Sequence, residues 1–233
     1  MDRDGAQQGE PASAHSVGAQ QHRSVTGAAT AATILITLEL VREVVVSVAN
    51  WRGYLLVHDY LAGTATDADL VAADADALTA LASLPTVLVW VAGGVAFLIW
   101  LRRARINAEL MSGAAAHRRS RAWVVGAWIT PVANLWYPYQ IVSDIWQAST
   151  PRRPAPLALI NVWWASFVAA TLVKPIQWRM ASQEDTEESF LANANLSTLL
   201  TALYLVAGVL IILILRRITT WQTDELAPST RPS

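Results

Sequence analysis

The chain has 233 residues, 54% of them hydrophobic and only 15% charged, with a formal net charge of −1. A soluble domain carries roughly a quarter of its residues as charge; here the deficit is concentrated in long segments, which points to a bilayer as solvent. The near-neutral balance gives no footing for a nucleic-acid partner, and the absence of cysteine excludes disulfides, thiolate catalysis and thiolate metal sites.

In chain order, residues 1–23 are polar and rich in Gln, Ala, Gly and Ser, and are expected to be a disordered tail. The first apolar segment covers about 25–49. It is long enough to span, yet it carries Glu39, Arg42 and Glu43, and it ends at an interfacial anchor of Trp51, Arg52 and Tyr54. Residues 59–76 are an Asp-rich loop or short helix without Lys or Arg. The second segment, 84–101, has no charge, stops against Arg102, Arg103 and Arg105, and holds Gly93-Gly94, which permits close helix approach. A basic stretch follows, with a break at Ser112-Gly113 and His117-Arg118-Arg119-Ser120-Arg121 at its end.

The next stretch, 122–148, is apolar but interrupted by Pro131, Asn134 and Pro138, then continues as an amphipathic stripe from Ile141 to Trp146. Its aromatic residues Trp123, Trp128, Trp136, Tyr137, Tyr139 and Trp146 suit a membrane interface. A further segment covers 157–173, closed by Lys174-Pro175. After acidic residues 184–188 comes the strongest span, 196–215, stopped by Arg216-Arg217; residues 221–233 form a second polar tail.

The positive-inside rule discriminates between two topologies. If 122–148 spans as a fifth, Pro-kinked helix, Arg152-Arg153 and Arg216-Arg217 fall outside and an acidic loop falls inside. If it re-enters or lies along the interface, every Lys and Arg except Arg42, Arg52, Lys174 and Arg179 is cytoplasmic, and both acidic loops face outward. The second arrangement makes every loop agree. The expected fold is therefore an all-α polytopic membrane bundle in the cytoplasmic membrane, with four spans, one Pro-broken re-entrant or interfacial segment, and both termini inside.

Glu39, Arg42 and Glu43 admit two readings. A charge near mid-bilayer costs roughly 2.5–3.5 kcal/mol on insertion scales, so the cluster is either a proton or ion site or a self-paired structural group, with Glu43 nearer the outer interface. Asn107 and Glu109 read most simply as a solvated helix end beside Arg105; a sharper reading pairs them with the 118–146 region. Arg118, Arg119 and Arg121 are candidate contacts to anionic lipid headgroups, or act only as topology determinants. Asp144 lacks a neighbouring carboxylate or histidine, and no intramembrane Ser–His pair or second Asp supports proteolysis.

The run Phe97-Leu98-Ile99-Trp100-Leu101-Arg102-Arg103-Ala104-Arg105-Ile106-Asn107-Ala108-Glu109 resembles the opening of a bacterial membrane family, domain of unknown function 4328. Residues 121–135, from Arg121-Ala122-Trp123 to Pro131-Val132-Ala133-Asn134-Leu135, and 138–146, from Pro138-Tyr139-Gln140 to Asp144-Ile145-Trp146, are similar to its later blocks. The resemblance extends over about 85–215. It implies a multi-helix membrane protein and no particular activity, and it marks Trp100, Arg105, Asn107, Trp128, Pro131, Asn134, Pro138, Asp144 and Trp146. The resulting expectation is a non-enzymatic membrane protein without cofactor, acting through lipids, a protein partner or its own oligomer at the cytoplasmic face. A small oligomeric transporter or channel subunit using 130–139 is the alternative, and an enzyme using Asp144 or Glu109 a third.

Overall fold

A computed structural model of the chain describes residues 22–74, 86–183 and 186–226. The tails expected at 1–23 and 221–233 lie outside these residues, except for 22–23 and 221–226, as do Glu184 and Asp185 of the acidic loop. Among the described residues all regular structure is helical: α1 (Thr26–Leu61), α2 (Asp67–Asp74), α3 (Thr86–Ser112), α4 (Trp123–Ile129), α5 (Tyr137–Ser149), α6 (Ala158–Ala181) and α7 (Glu187–Leu226), with single 3-10 turns at Ala114–Ala116 and Ala133–Leu135.

Three helices, α3, α6 and α7, are long and apolar enough to cross a membrane. The 36-residue α1 is long enough but carries Glu39, Arg42 and Glu43 in mid-helix. Its outer face is apolar: Ile34, Leu38, Val41, Val48 and Leu55 are exposed at helical spacing, while Ala29, Ala32, Glu43 and Ser47 turn inward. This inverts the pattern of a soluble helix. Small residues let the backbones approach, most closely at Gly208 of α7, where a Cβ would stand 2.6 Å from a Leu40 methyl.

α1 packs along both α7 and α3, and α6 packs on the other side of α7. Side-chain bonds give the direction of each helix. Asn107, near the end of α3, meets Arg23 before α1 and Gln222 near the end of α7. At the opposite end, Trp51 donates to Thr198 and His58 pairs with Glu187. α1 therefore runs antiparallel to α3 and α7.

Several helices outrun the expected boundaries. α1 continues past Trp51 to Leu61, and α7 extends on both sides of 196–215. At about 1.5 Å per residue both exceed the roughly 30 Å of a hydrocarbon core. α6 does not stop at Lys174-Pro175: Pro175 lies inside it, and the helix runs to Ala181. A proline removes one backbone donor, and the packing along α7 keeps the helix continuous.

The two prolines of the broken stretch act differently from each other. Thr130, just before Pro131, is extended at ψ 114 and ends α4, as the residue before a proline prefers. Pro138 lies in the first turn of α5, where its missing N–H has no partner to lose. One of the aromatic residues expected at an interface is instead a core residue: Trp146, 3% exposed, packs on Trp221. Trp128 is half-buried and packs edge-on against Phe97, Trp164 and Phe167.

Candidate functional site

Polar side chains collect at the end of the bundle shared by the start of α1 and the ends of α3, α5 and α7. Two linked networks form there. In the first, the Asn107 side chain accepts from the Arg23 amide at 2.9 Å and donates to the Arg23 carbonyl and to Gln222. Gln222 in turn donates to the Ala104 carbonyl and to Ser149 at the end of α5. Asn107 and Gln222 are fully buried, so each bond replaces water that cannot reach them.

The second network is ionic. Arg105 donates through Nε to Glu109 one turn along, at 2.8 Å, and through Nη2 to the Arg119 carbonyl at 2.7 Å. Arg121 pairs with the other Glu109 oxygen. Asp144, on α5, accepts from both the backbone and the side chain of Arg118 at 2.8 Å. Arg119 lies over the Tyr137 ring at 3.7 Å and donates through Nε to Gln140. The segment 117–121 is thus tied to α3 on one side and to α5 on the other. These bonds bring the start of α4 and the body of α5 to the same end of the bundle.

The solvated helix end expected at Asn107 and Glu109 does not form. Arg105, Asn107 and Glu109 are 2%, 0% and 9% exposed. They are covered because the 117–121 segment and α5 fold over them, which spacing along α3 alone does not reveal. His117 is buried beside them. Burial, reinforced by the Arg105 charge, holds its imidazole below the usual range; Asp144, Glu109 and the Ala108 carbonyl oppose this more weakly. Neither of its ring nitrogens makes a hydrogen bond of normal geometry, and neither does Nη1 of Arg105. A concavity of about 350 Å³ opens here, lined by Arg105, Glu109, His117 and residues 118–121.

The other sequence candidates lie elsewhere. Pro131 is exposed and Pro138 buried at the bend between α4 and α5, with Asn134 half-buried between them. Trp164 of α6 donates to the Leu135 carbonyl at 3.1 Å, and Tyr139 to Asn161, so the bend is held by α6. Glu39, Arg42 and Glu43 form a separate group, about 25 Å along α1 from Arg23. Arg42 bridges both carboxylates. Glu43 is buried rather than turned to an interface, and Lys174 of α6 stands 4.0 Å from it. Thr201 of α7 donates to the Glu43 carbonyl.

Sequence reading missed His117 as a cleft residue, Gln222 and Ser149 as buried linkers, and Lys174 as a partner of Glu43. The charge of Lys174 beside an apolar run was the one available signal. Among the described residues no three His, Asp or Glu side chains are grouped to hold a metal ion.

Described residues that are all-helical in their regular structure, with three helices among them able to cross a membrane and linked polar networks at one end of the bundle, have the build of a membrane protein. The chain belongs to the family described as Domain of unknown function (DUF4328), whose pattern matches residues 63–220. The match covers α2 to most of α7 and both networks apart from Arg23 and Gln222; α1, with the Glu39–Glu43 group, precedes it. Neither the curated proteins nor the solved structures contain a match to the chain.

Proposed function

We propose that the protein crosses the cytoplasmic membrane four times, through α1, α3, α6 and α7, with both termini inside. The α4–α5 hairpin dips back from the cytoplasmic side, and the protein acts there, without catalysis, by binding lipid or a protein partner. The observation carrying this reading is the common end of the bundle: Arg102, Arg103, Arg105, Arg118, Arg119, Arg121, Arg216 and Arg217 belong to the end marked by Asn107 and Gln222. The opposite end has Asp59, Asp67, Asp69 and Glu187. That asymmetry is what the positive-inside rule orients. The outward apolar face of α1 supports its membrane insertion, since patches of that size on a monomer in water are rare.

The hairpin carries exposed Ile129 and Val132 at its bend, 75% and 65% exposed, while its two ends meet the ionic network. This supports an apolar tip in lipid below a polar collar. Glu109 and Asp144 are both engaged by arginines, which supports a structural use of these carboxylates rather than acid–base work.

Transport by a homo-oligomer is favoured by one observation, the Glu39–Arg42–Glu43–Lys174 group within the bundle. Buried ionisable groups in spans frequently mark ion pathways. Within one chain, Pro131 and Val132 are exposed at the bend, so a channel lined by 130–139 would form only between copies.

The test uses the natural lack of cysteine. Exposed Pro151, replaced as Pro151→Cys, is expected to react with a membrane-impermeant maleimide only after the cytoplasmic side is opened, and Ala62→Cys in intact cells. Labelling of Pro151→Cys from outside sinks the four-span reading.

A further inference from the structure

The 350 Å³ concavity at the ionic network lies at the lower end of the roughly 300–1,000 Å³ of small-ligand sites. Its arginines are not equivalent. Arg118 is occupied by Asp144 and the Gln140 carbonyl, and Arg121 by Glu109. Both are about half exposed and form the rim. Behind them stand donors with nothing to bond. Arg105, with its side chain 3% exposed, spends Nε and Nη2 but leaves Nη1 without an acceptor. Neither nitrogen of the His117 ring makes a hydrogen bond of normal geometry, and the Ala108 carbonyl is its weak backbone acceptor. Arg119 bonds only through Nε, so its terminal nitrogens donate to no described residue.

A buried donor without an acceptor costs about 1–3 kcal/mol, and more when charged. Such a group in the wall of a concavity, beside an imidazole held only by a weak backbone contact, is seldom left so without a ligand. The charge is also unbalanced. Four arginines (105, 118, 119 and 121) face two carboxylates, Glu109 and Asp144. The missing partner is therefore an anion rich in acceptor oxygens, and guanidinium forks fit phosphate oxygens in pairs.

We propose that this concavity is a phosphate-group site, in which Arg105, His117 and Arg119 donate to the phosphate oxygens while Arg118 and Arg121 form its rim. The phosphate belongs either to a lipid headgroup at the cytoplasmic leaflet or to a soluble phosphate. The inference rests on the cytoplasmic placement proposed above and assigns a ligand chemistry to that face. It also changes which residues matter: Arg105, His117 and Arg119 bind, whereas Arg118 and Arg121 chiefly hold the segment in place.

The test uses the full chain in phosphatidylcholine nanodiscs. Phosphatidic acid is added at increasing mole fraction and bound lipid is counted by native mass spectrometry; inorganic phosphate is titrated separately by calorimetry. Saturable binding of one phosphate group per chain is expected. It should weaken by about tenfold or more in Arg119→Gln and in His117→Asn, the scale of a lost charge-assisted hydrogen bond, and stay unchanged in Arg217→Gln. Arg119-dependent phosphatidic acid binding with inert inorganic phosphate identifies a headgroup. Arg119-dependent binding of inorganic phosphate, with no preference for the lipid, identifies a soluble ligand. Absence of saturation with either probe, or equal binding by Arg119→Gln and Arg217→Gln, overturns the site. Such a failure leaves the membrane topology standing, because that stands or falls on labelling at residue 151.

Discussion

Glu109 is the residue on which the ionic network turns, because Arg105 and Arg121 each take one of its oxygens. Its loss does not affect the two equally. Arg121 is half exposed and can be rehydrated, whereas Arg105 is enclosed. Glu109→Gln should therefore destabilise the protein by about 3–5 kcal/mol, the cost of leaving a buried charge unpaired, measured by reversible unfolding in mixed micelles. Asp144→Asn should cost less, about 1–3 kcal/mol, because Arg118 lies half in solvent.

His117 and His58 predict opposite pH effects. His117 is held below the usual imidazole value of about 6.5, first by burial and then by Arg105. The stability from its neutral ring is complete above about pH 6.5 and is lost as pH falls through its lower folded value. His58 is raised above 6.5 by its hydrogen bond to Glu187 and that carboxylate's charge. Its contribution is complete below about pH 6.5 and is lost as pH rises through the folded value. Melting temperature against pH should accordingly lose part of its acid-side slope in His117→Gln and part of its alkaline-side slope in His58→Gln.

At the scale of elements, α1 is the helix whose sequence most resists a membrane and whose packing most explains it. Arg42 sits between Glu39 and Glu43, and Lys174 approaches from α6. The central cation should matter more than either carboxylate, since a single Glu can protonate but two unpaired ones in apolar surroundings repel or must both take up protons. Arg42→Gln is expected to lower stability by more than Glu39→Gln or Glu43→Gln, by about 2 kcal/mol or more. An equal effect of all three would count against a self-paired group. Where α1 crosses α7, Gly208→Val adds bulk against the Leu40 methyls and should cost about 1–3 kcal/mol. Because the obstruction is the far end of a side chain, Leu40→Ala in the same chain should recover part of the loss.

At the scale of the whole molecule, Asn107 and Gln222 tie the segment before α1 to α3, α5 and α7 through a few buried bonds. Asn107→Leu removes the acceptor for the Arg23 amide and strands Gln222. Hydrogen exchange at Arg23 should accelerate at least about tenfold, equivalent to roughly 1.4 kcal/mol of local opening, with little change at the far end around Glu187. Unchanged exchange at Arg23 would mean that the tie carries no stability.

Composition and periodicity alone determined that this chain is helical and built for an apolar solvent, because uncharged runs of about 20 residues and their basic stops are properties of local sequence. The family blocks around Trp100–Glu109 and Arg121–Trp146 were legible for the same reason, as were the charges of α1. Tertiary structure decided what those residues meet. The arginines and carboxylates sit on segments 12 to 26 residues apart, and Gln222 lies more than a hundred residues from the Asn107 it bonds. Which of four arginines is spent and which is spare depends on how 117–121 folds between α3 and α5. Helix ends beyond Trp51 and Lys174 were likewise decided by packing, which outweighed an interfacial residue in one case and a missing proline donor in the other.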